Sequence, residues 1–246
     1  MNPLAVQLYT VREQIKSGLE PVLAAIADAG YGAVEGFDPL SDPEGFKALA
    51  DELGLAICST HAPLLGDQQD AVLAAAKILD TSTVVVPMIS PDRWADADGI
   101  AGIAADLNDA AAKAADAGIR VGYHNHWFEL ETTIDGSFGL EVLADALDPS
   151  VVLEVDTYWA QVGGADVVPL VQRLGDRVRY LHVKDGPARK GEPMVAVGAG
   201  VLPVTEILHA NPAVEWHVVE LDECATDMIQ ALRDSATYLA KDGVRS

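Results

Sequence analysis

Residues 116–123 read DAGIRVGY: an acidic, alanine-rich helix end, a glycine, then a run of β-prone residues. The same phrase stands at 51–59, DELGLAICS, and again around Gly30. There Leu19, Val22, Leu23 and Ile26 recur at helical spacing before the glycine, and residues 33–35 form a short strand after it. A glycine at this point supplies the left-handed residue that closes a helix, so the recurring phrase reads as βα alternation. Residues 4–9, 83–86, 151–155, 178–183 and 216–220 complete a set of about eight strands, each followed by a plausible helix. The sequence therefore predicts an α/β protein, a (β/α)8 barrel, with residues 1–246 as a single domain and no linker-like or low-complexity break. Such barrels run to about 250 residues and carry their chemistry at the C-terminal ends of the strands. The structural rival is an open, doubly wound sheet. It lacks its usual signatures, since no GxGxxG turn follows the first strand and no GxxxxGK[ST] occurs.

Composition narrows the functions. Sixteen basic against 38 acidic residues give a formal charge of −22 over 246 residues, which disfavours a nucleic-acid groove or an anionic membrane surface. Half of the residues are hydrophobic and 22% are charged, enough for a sizeable core and against disorder. The longest apolar stretches, such as TVVVPMI at 83–89, are far shorter than the roughly 18 residues of a membrane span. The N-terminus lacks a basic region followed by a long apolar run, so a cytoplasmic location is expected. Cys58 and Cys224 are then expected to be small buried thiols rather than a disulfide.

Of the six histidines, His61, His124, His126 and His182 fall at the C-terminal ends of expected strands, whereas His209 lies in a helix and His217 inside a strand. Two-residue spacing places side chains on one face of a strand. His124 with His126, Glu154 with Asp156, His182 with Lys184 and Glu220 with Asp222 therefore end four consecutive strands in paired polar groups. Burying so many imidazoles and carboxylates is costly unless they hold a cation or one another. This points to a metal site with His124, Asp156, His182 and Glu220 as ligands. Two imidazoles and two carboxylates suit one divalent ion, Mn2+, Mg2+, Co2+ or Zn2+, without choosing among them. Hydrogen-bonded structural histidines are the alternative for any one of these residues.

Around this set, Lys184 either pairs with Asp185 or a carboxylate across the rim, or acts on substrate as an acid or base. Glu154 fits a partner that orients His124 or His182, Glu35 a rim carboxylate or ion-pair partner, and His61 a proton shuttle. Tyr9, Trp127, Phe128, Tyr158 and Trp159 cluster near the same strand ends, either as core or as surfaces on which a sugar ring stacks. Arg12, Gly198 and Gly200 are candidates to contact an anionic or hydroxylated substrate, with a flexible loop as the other reading of the glycines.

The segments VQLYTVR (6–12), STHAP (59–63), GYHNHWFE (122–129), LEVDTYW (153–159), YLHVKDG (180–186), VGAGV (197–201) and VVELDE (218–223) together resemble the sugar phosphate isomerase/epimerase family of xylose-isomerase-like TIM barrels. The resemblance implies a divalent ion at the barrel mouth held by Glu, Asp, His and Glu from strands five to eight. The last three carry over onto Asp156, His182 and Glu220, while His124 stands where many members have glutamate. It also implies proton movement beside a sugar carbonyl: the metal polarises the carbonyl, and a carboxylate removes the acidified proton to give an enediolate.

With one of the two glutamates absent, two-base epimerisation would need His126, His61 or Lys184 as the second base beside Glu220. Proton return to a neighbouring atom would give isomerisation, and expulsion of a β-hydroxyl or glycosidic oxygen from a keto-sugar would make the protein a lyase or hydratase. Tyr9, Arg12, Glu35, Trp127, Glu154 and Trp159 are the expected substrate-binding residues. A non-catalytic sugar-binding barrel and a hydrolase of the apurinic endonuclease branch are weaker alternatives, the latter opposed by the charge. The same charge slightly favours neutral sugars over phosphorylated ones, Arg12, Lys184, Arg189 and Lys190 being the only nearby cations. A homodimer is a further expectation of the resemblance.

Overall fold

The computed structural model describes residues 3–241. Among them, eight parallel strands close a barrel: β1 (Leu4–Gln7), β2 (Ala33–Gly36), β3 (Ala56–His61), β4 (Thr83–Val86), β5 (Arg120–His124), β6 (Val152–Asp156), β7 (Val178–Val183) and β8 (Trp216–Val219). Closure is made by β1 against β8, with Leu4 opposite His217 and Val6 opposite Val219. Each strand is followed by a helix: α1 (Leu19–Asp28), α2 (Pro43–Glu52), α3 (Gln69–Ile78), α4 (Ala97–Ala115), α5 (Gly139–Ala146), α6 (Val167–Leu174), α7 (Val204–Leu208) and α8 (Met228–Lys241). This is the (β/α)8 architecture that the alternating phrase predicts.

The local chemistry explains the punctuation. Asp42 and Asp96 accept hydrogen bonds from the amides of Gly45 and Gly99 and so cap α2 and α4, with Pro43 pre-set in the first turn of α2. Gly30, Gly54 and Gly118, the glycines of the repeated phrase, all take positive φ after their helices. Strand ends shift slightly from expectation. β1 stops at Gln7 because Leu8–Val11 turns into a 3-10 helix, and Glu220 lies one residue past β8.

The barrel interior is layered. At the bottom, Ala5, Ala33, Cys58, Val152, Tyr180 and Val218 form a small apolar cluster. Arg120 closes it from below, pairing with both oxygens of Glu215 at 2.8 and 2.6 Å. Outward-facing strand residues pack against the helices in the larger core. Two residues further up β1, β2, β6 and β7, and one further up β3 where the register shifts against β2, the interior turns polar, with Gln7, Glu35, Glu154, His182 and Ser59 all buried. Cys58 is buried and Cys224 only half-buried, which corrects the expectation of two buried thiols. Cys224 lies in the loop after β8, with its Sγ 3.4 Å from the Thr226 hydroxyl, and neither cysteine is in a disulfide. No helix of the described residues is long and apolar enough to cross a membrane.

His217 faces away from this interior. It is 3% exposed, and neither of its ring nitrogens has a hydrogen-bond partner. Burial, reinforced by nearby His209, pushes its pKa down to about 4. A histidine that stays neutral in the folded state but takes up a proton near 6.5 when unfolded draws stability out of the fold as pH falls from about 6.5 to about 4. The loss amounts to about 3 kcal/mol. His217→Leu is expected to flatten the pH dependence of the melting temperature between pH 7 and 4 without lowering stability at pH 7. An unchanged slope would show that His217 is not the acid-labile group.

Candidate active site

The polar upper half of the barrel holds the expected site residues in two tiers. In the upper tier, Asp156 ends β6 and is fully buried. Its Oδ1 accepts the Trp159 amide at 2.7 Å, starting the short helix Thr157–Val162, so the other oxygen turns into the barrel. That oxygen, Oδ2, lies 2.9 Å from Lys184 Nζ, outside hydrogen-bond geometry, and 3.9 Å from His124 Nε2. Lys184, 1% exposed, also reaches Glu220 at 2.6 Å and Asp222 at 2.9 Å. His182 Nδ1 meets Glu220 Oε2 at 2.8 Å. The donor atoms of His124, Asp156, His182 and Glu220 all lie within 4.8 Å of one another. The structure thus gathers the four residues proposed from sequence as ligands.

Donor chemistry and geometry fit a divalent cation here. Two imidazoles and two carboxylates converge, and Asp156 Oδ2 has no hydrogen bond although it is buried. Lys184 shares the Asp156 and Glu220 carboxylates, and Asp222 offers the ammonium a third partner on its outer side. Of the two pairings read from sequence for Lys184, with Asp185 or with a carboxylate across the rim, the structure shows the second. Asp185 instead accepts the amides of Gly186, Gly198, Gly200 and Leu202, knitting the 185–202 excursion together. Gly198 and Gly200 are therefore structural parts of that loop. A Cβ on Gly200 would stand 2.1 Å from Asp185 Oδ1, and one on Gly198 2.2 Å from the Tyr238 ring.

The lower tier centres on Glu154 and Glu35, both essentially unexposed. Glu154 Oε2 is 2.6 Å from His61 Nε2, 3.1 Å from His182 Nε2 and 3.1 Å from His124 Nδ1. Glu35 Oε1 is 2.8 Å from His182 Nε2 and 3.2 Å from His61 Nε2, and accepts a 2.6 Å bond from Gln7 Nε2. Its other oxygen takes a short hydrogen bond from Ser59. Burial alone would strip charge from these groups, but they compensate one another. It opposes the His61 imidazolium, which Glu35 and Glu154 nonetheless hold up to about 10. Burial and the Glu35 charge work against the Glu154 carboxylate, which His182 and His61 bring down to about 2. Asp156 goes the other way, pushed up to about 6 by burial against the pull of Lys184 and His182.

Above both tiers opens a cavity of about 480 Å3, lined among others by Tyr9, Arg12, His61, His124, His126, Trp127, Trp159, Lys184, Glu220 and Asp222. Tyr9 stands edge-on to Phe37 at 5.6 Å, and Trp127 lies 4.9 Å from Trp159. The aromatic surfaces thus rise from the β1–β2 and β5–β6 sides of the mouth. Phe128 and Tyr158 are not on the cavity wall. Phe128 stacks against His126, and Tyr158 is buried beneath the Arg189 amide. Glu35 and Glu154, expected to bind substrate, lie under the floor instead. Arg12 is engaged by the Tyr9 and Asp222 carbonyls at 2.9 and 2.8 Å and sits 4.3 Å over the Tyr9 ring. Lys190 is paired with Glu131 and Arg189 with Glu192.

Of the groups that support the site, Glu129 and Asn125 were not singled out from sequence. Glu129 accepts the Tyr123 hydroxyl at 2.7 Å and the His126 amide at 2.9 Å, fixing the turn that carries His126. Burial pushes its pKa up to about 7. Asn125 ties the ends of β5 and β6 together, accepting the Asp156 amide at 3.0 Å. Asp222 receives the Trp159 indole at 3.0 Å in addition to Lys184. Asp222 was read from sequence as the same-face partner of Glu220, whereas for Glu129 the available signal was its three-residue spacing from His126.

With this geometry in view, the chain belongs to the xylose isomerase-like TIM barrel family, whose model matches residues 23–210. Among solved structures it is similar to a sugar phosphate isomerase/epimerase from Parabacteroides distasonis ATCC 8503. The two are 24% identical, over 97% of this chain and 93% of that one, with a TM-score of 0.81. The fold is also shared with a probable 3-DHS dehydratase from Bacillus anthracis, at 15% identity over 98% and 99% of the two chains and a TM-score of 0.74. A shorter stretch of 80 residues is 35% identical to the inosose dehydratase of Geobacillus kaustophilus (strain HTA426), covering 32% of this chain and 25% of that protein.

Proposed function

We propose that this protein is a divalent-metal-dependent enzyme that moves a proton at the carbon beside the carbonyl of a sugar or keto-sugar, as an isomerase or epimerase. The observation that carries the reading is the convergence of His124, Asp156, His182 and Glu220 at the floor of an aromatic-sided cavity. A divalent ion held by these four residues would supply Lewis-acid polarisation of the substrate carbonyl. The rest falls to the chain's own groups. Glu220 is the base: burial works against its charge, but Lys184 and His182 keep it ionised well below the usual carboxylate range. Trp127, Trp159 and Tyr9 offer flat apolar faces for a sugar ring. His126 and Lys184, both on the cavity wall, are the groups placed to return a proton.

A second reading, loss of a β-hydroxyl or another β-substituent, is favoured by one contact. Lys184 Nζ sits 2.6 Å from Glu220, so an ammonium proton donor stands beside the base. The inosose dehydratase and the probable 3-DHS dehydratase among the similar proteins fit this reading as well. Incubation of the metal-loaded protein with a panel of keto-sugars in deuterated water separates the possibilities. Isomerase or epimerase activity is expected to give rearranged product carrying solvent deuterium at the α-carbon, and elimination an unsaturated or dehydrated product. Turnover that leaves deuterium out of every product would count against a freely exchanging carboxylate base.

A further inference from the structure

The lower tier has the composition and spacing of a coordination sphere in its own right. Three imidazole nitrogens, His61 Nε2, His124 Nδ1 and His182 Nε2, point at the single oxygen Glu154 Oε2, at 2.6, 3.1 and 3.1 Å. Two of them also face Glu35 Oε1, at 3.2 and 2.8 Å. Ligand atoms held about 2.1 Å from one ion at 90 to 109° lie about 3.0 to 3.4 Å from each other, and four of these five contacts lie close to that range. The donor atoms of His61, His124, Glu154 and His182 fall within 4.8 Å of one another.

Hydrogen bonding leaves this cluster incomplete. His124 Nδ1, in a ring that is 4% exposed, has no hydrogen-bond partner despite pointing at Glu154, and neither has Glu154 Oε1. Buried polar atoms seldom stay unpaired unless something else occupies their lone pairs. In the metal-free protein these two carboxylates are balanced by the His61 and His182 rings, whose two protons one divalent ion would displace.

We infer that the tier formed by Glu35, His61, His124, Glu154 and His182 is a second cation site, below the mouth, for a divalent ion that favours imidazole, such as Zn2+ or Co2+. It goes beyond the proposed sugar chemistry and does not depend on it. His182 presents Nε2 to this tier and Nδ1 to Glu220, while His124 presents Nδ1 to it and Nε2 towards Asp156. The two sites thus use opposite edges of the same rings, and with both ions bound His124 and His182 each release their remaining ring proton to solvent and bridge as imidazolates. His61, on the cavity wall, marks the way in.

The test loads metal-stripped full-length protein with Co2+, removes the excess, and reads bound cobalt by elemental analysis together with its visible absorption. Asp156→Ala removes a carboxylate that only the mouth site uses. This variant is expected to keep about one Co2+ per chain with a nitrogen-rich spectrum. His61→Asn and, independently, Glu35→Gln are expected to weaken retention of that ion at least about tenfold. Should either variant fail to fold by circular dichroism, the cobalt retained by Asp156→Ala decides. An Asp156→Ala protein without cobalt overturns the inference, as does a folded His61→Asn protein that binds as the parent does. Loss of the mouth ion alone in Asp156→Ala supports the proposed function, whereas an Asp156→Ala protein that holds as much cobalt as the parent contradicts it while leaving this site standing.

Discussion

Replacing Lys184 with methionine is expected to destabilise the metal-free protein by about 3 to 5 kcal/mol, the cost of leaving buried charges without their partner. The ammonium sits within 2.9 Å of Asp156, Glu220 and Asp222 and is itself 1% exposed, so neither water nor salt can stand in for it. Methionine fills similar space, which confines the loss to charge. At roughly 2 to 4 °C per kcal/mol for a chain of this size, the melting temperature should drop by about 10 °C at pH 7.5. Acid should soften the effect, because Asp156 is already pushed up to about 6 by burial and sheds its charge first when its counter-ion is gone. A divalent ion bound to the same carboxylates should restore much of the loss. A variant that melts within about 1 °C of the parent, metal-free at pH 7.5, would show that the triad is not held by this charge.

The largest effect on turnover is expected from Glu220→Gln. The substitution keeps the shape of the side chain and its place beside His182 and Lys184 but removes the charge that accepts the proton. Loss of a positioned general base lowers rates by about 10² to 10⁴, and Glu220 is also one of the four ligand candidates, so the upper end of that range applies. On whichever keto-sugar the parent turns over, both product formation and α-proton exchange should fall together. A variant within tenfold of the parent, with its fold intact, would remove Glu220 from the role of base.

Much of this site was legible in the chain because a barrel converts spacing into position. Pairs two residues apart at a strand end must share a face, and for His182 with Lys184 or Glu154 with Asp156 that face is the interior. The glycines after three helices marked the alternation for the same reason: a left-handed closing residue is a local requirement. What spacing cannot convey is depth. Glu35 read as a rim carboxylate or ion-pair partner and Glu154 as a partner of His124 or His182, which it is, but both were also expected to touch substrate, and they belong to a tier below the cavity floor because β2 and β6 carry them inward before their strands end. Nor can it convey partner choice. Lys184 had a neighbour in Asp185, but the chain direction turns Asp185 out to gather four loop amides while Lys184 meets carboxylates from two other strand ends. Arg12 shows the same limit from the other side, its guanidinium being engaged by the Asp222 carbonyl from 210 residues away.

The proposed chemistry rests on a divalent ion held at the barrel mouth by Asp156 and its three neighbours, His124, His182 and Glu220. Elemental analysis of the purified protein, reconstituted with Mn2+ and set beside Asp156→Ala and Glu220→Ala proteins treated alike, tests it most directly. The parent is expected to retain a manganese ion that both variants lose. A parent that holds no metal after reconstitution, or variants that hold as much as the parent, would contradict it.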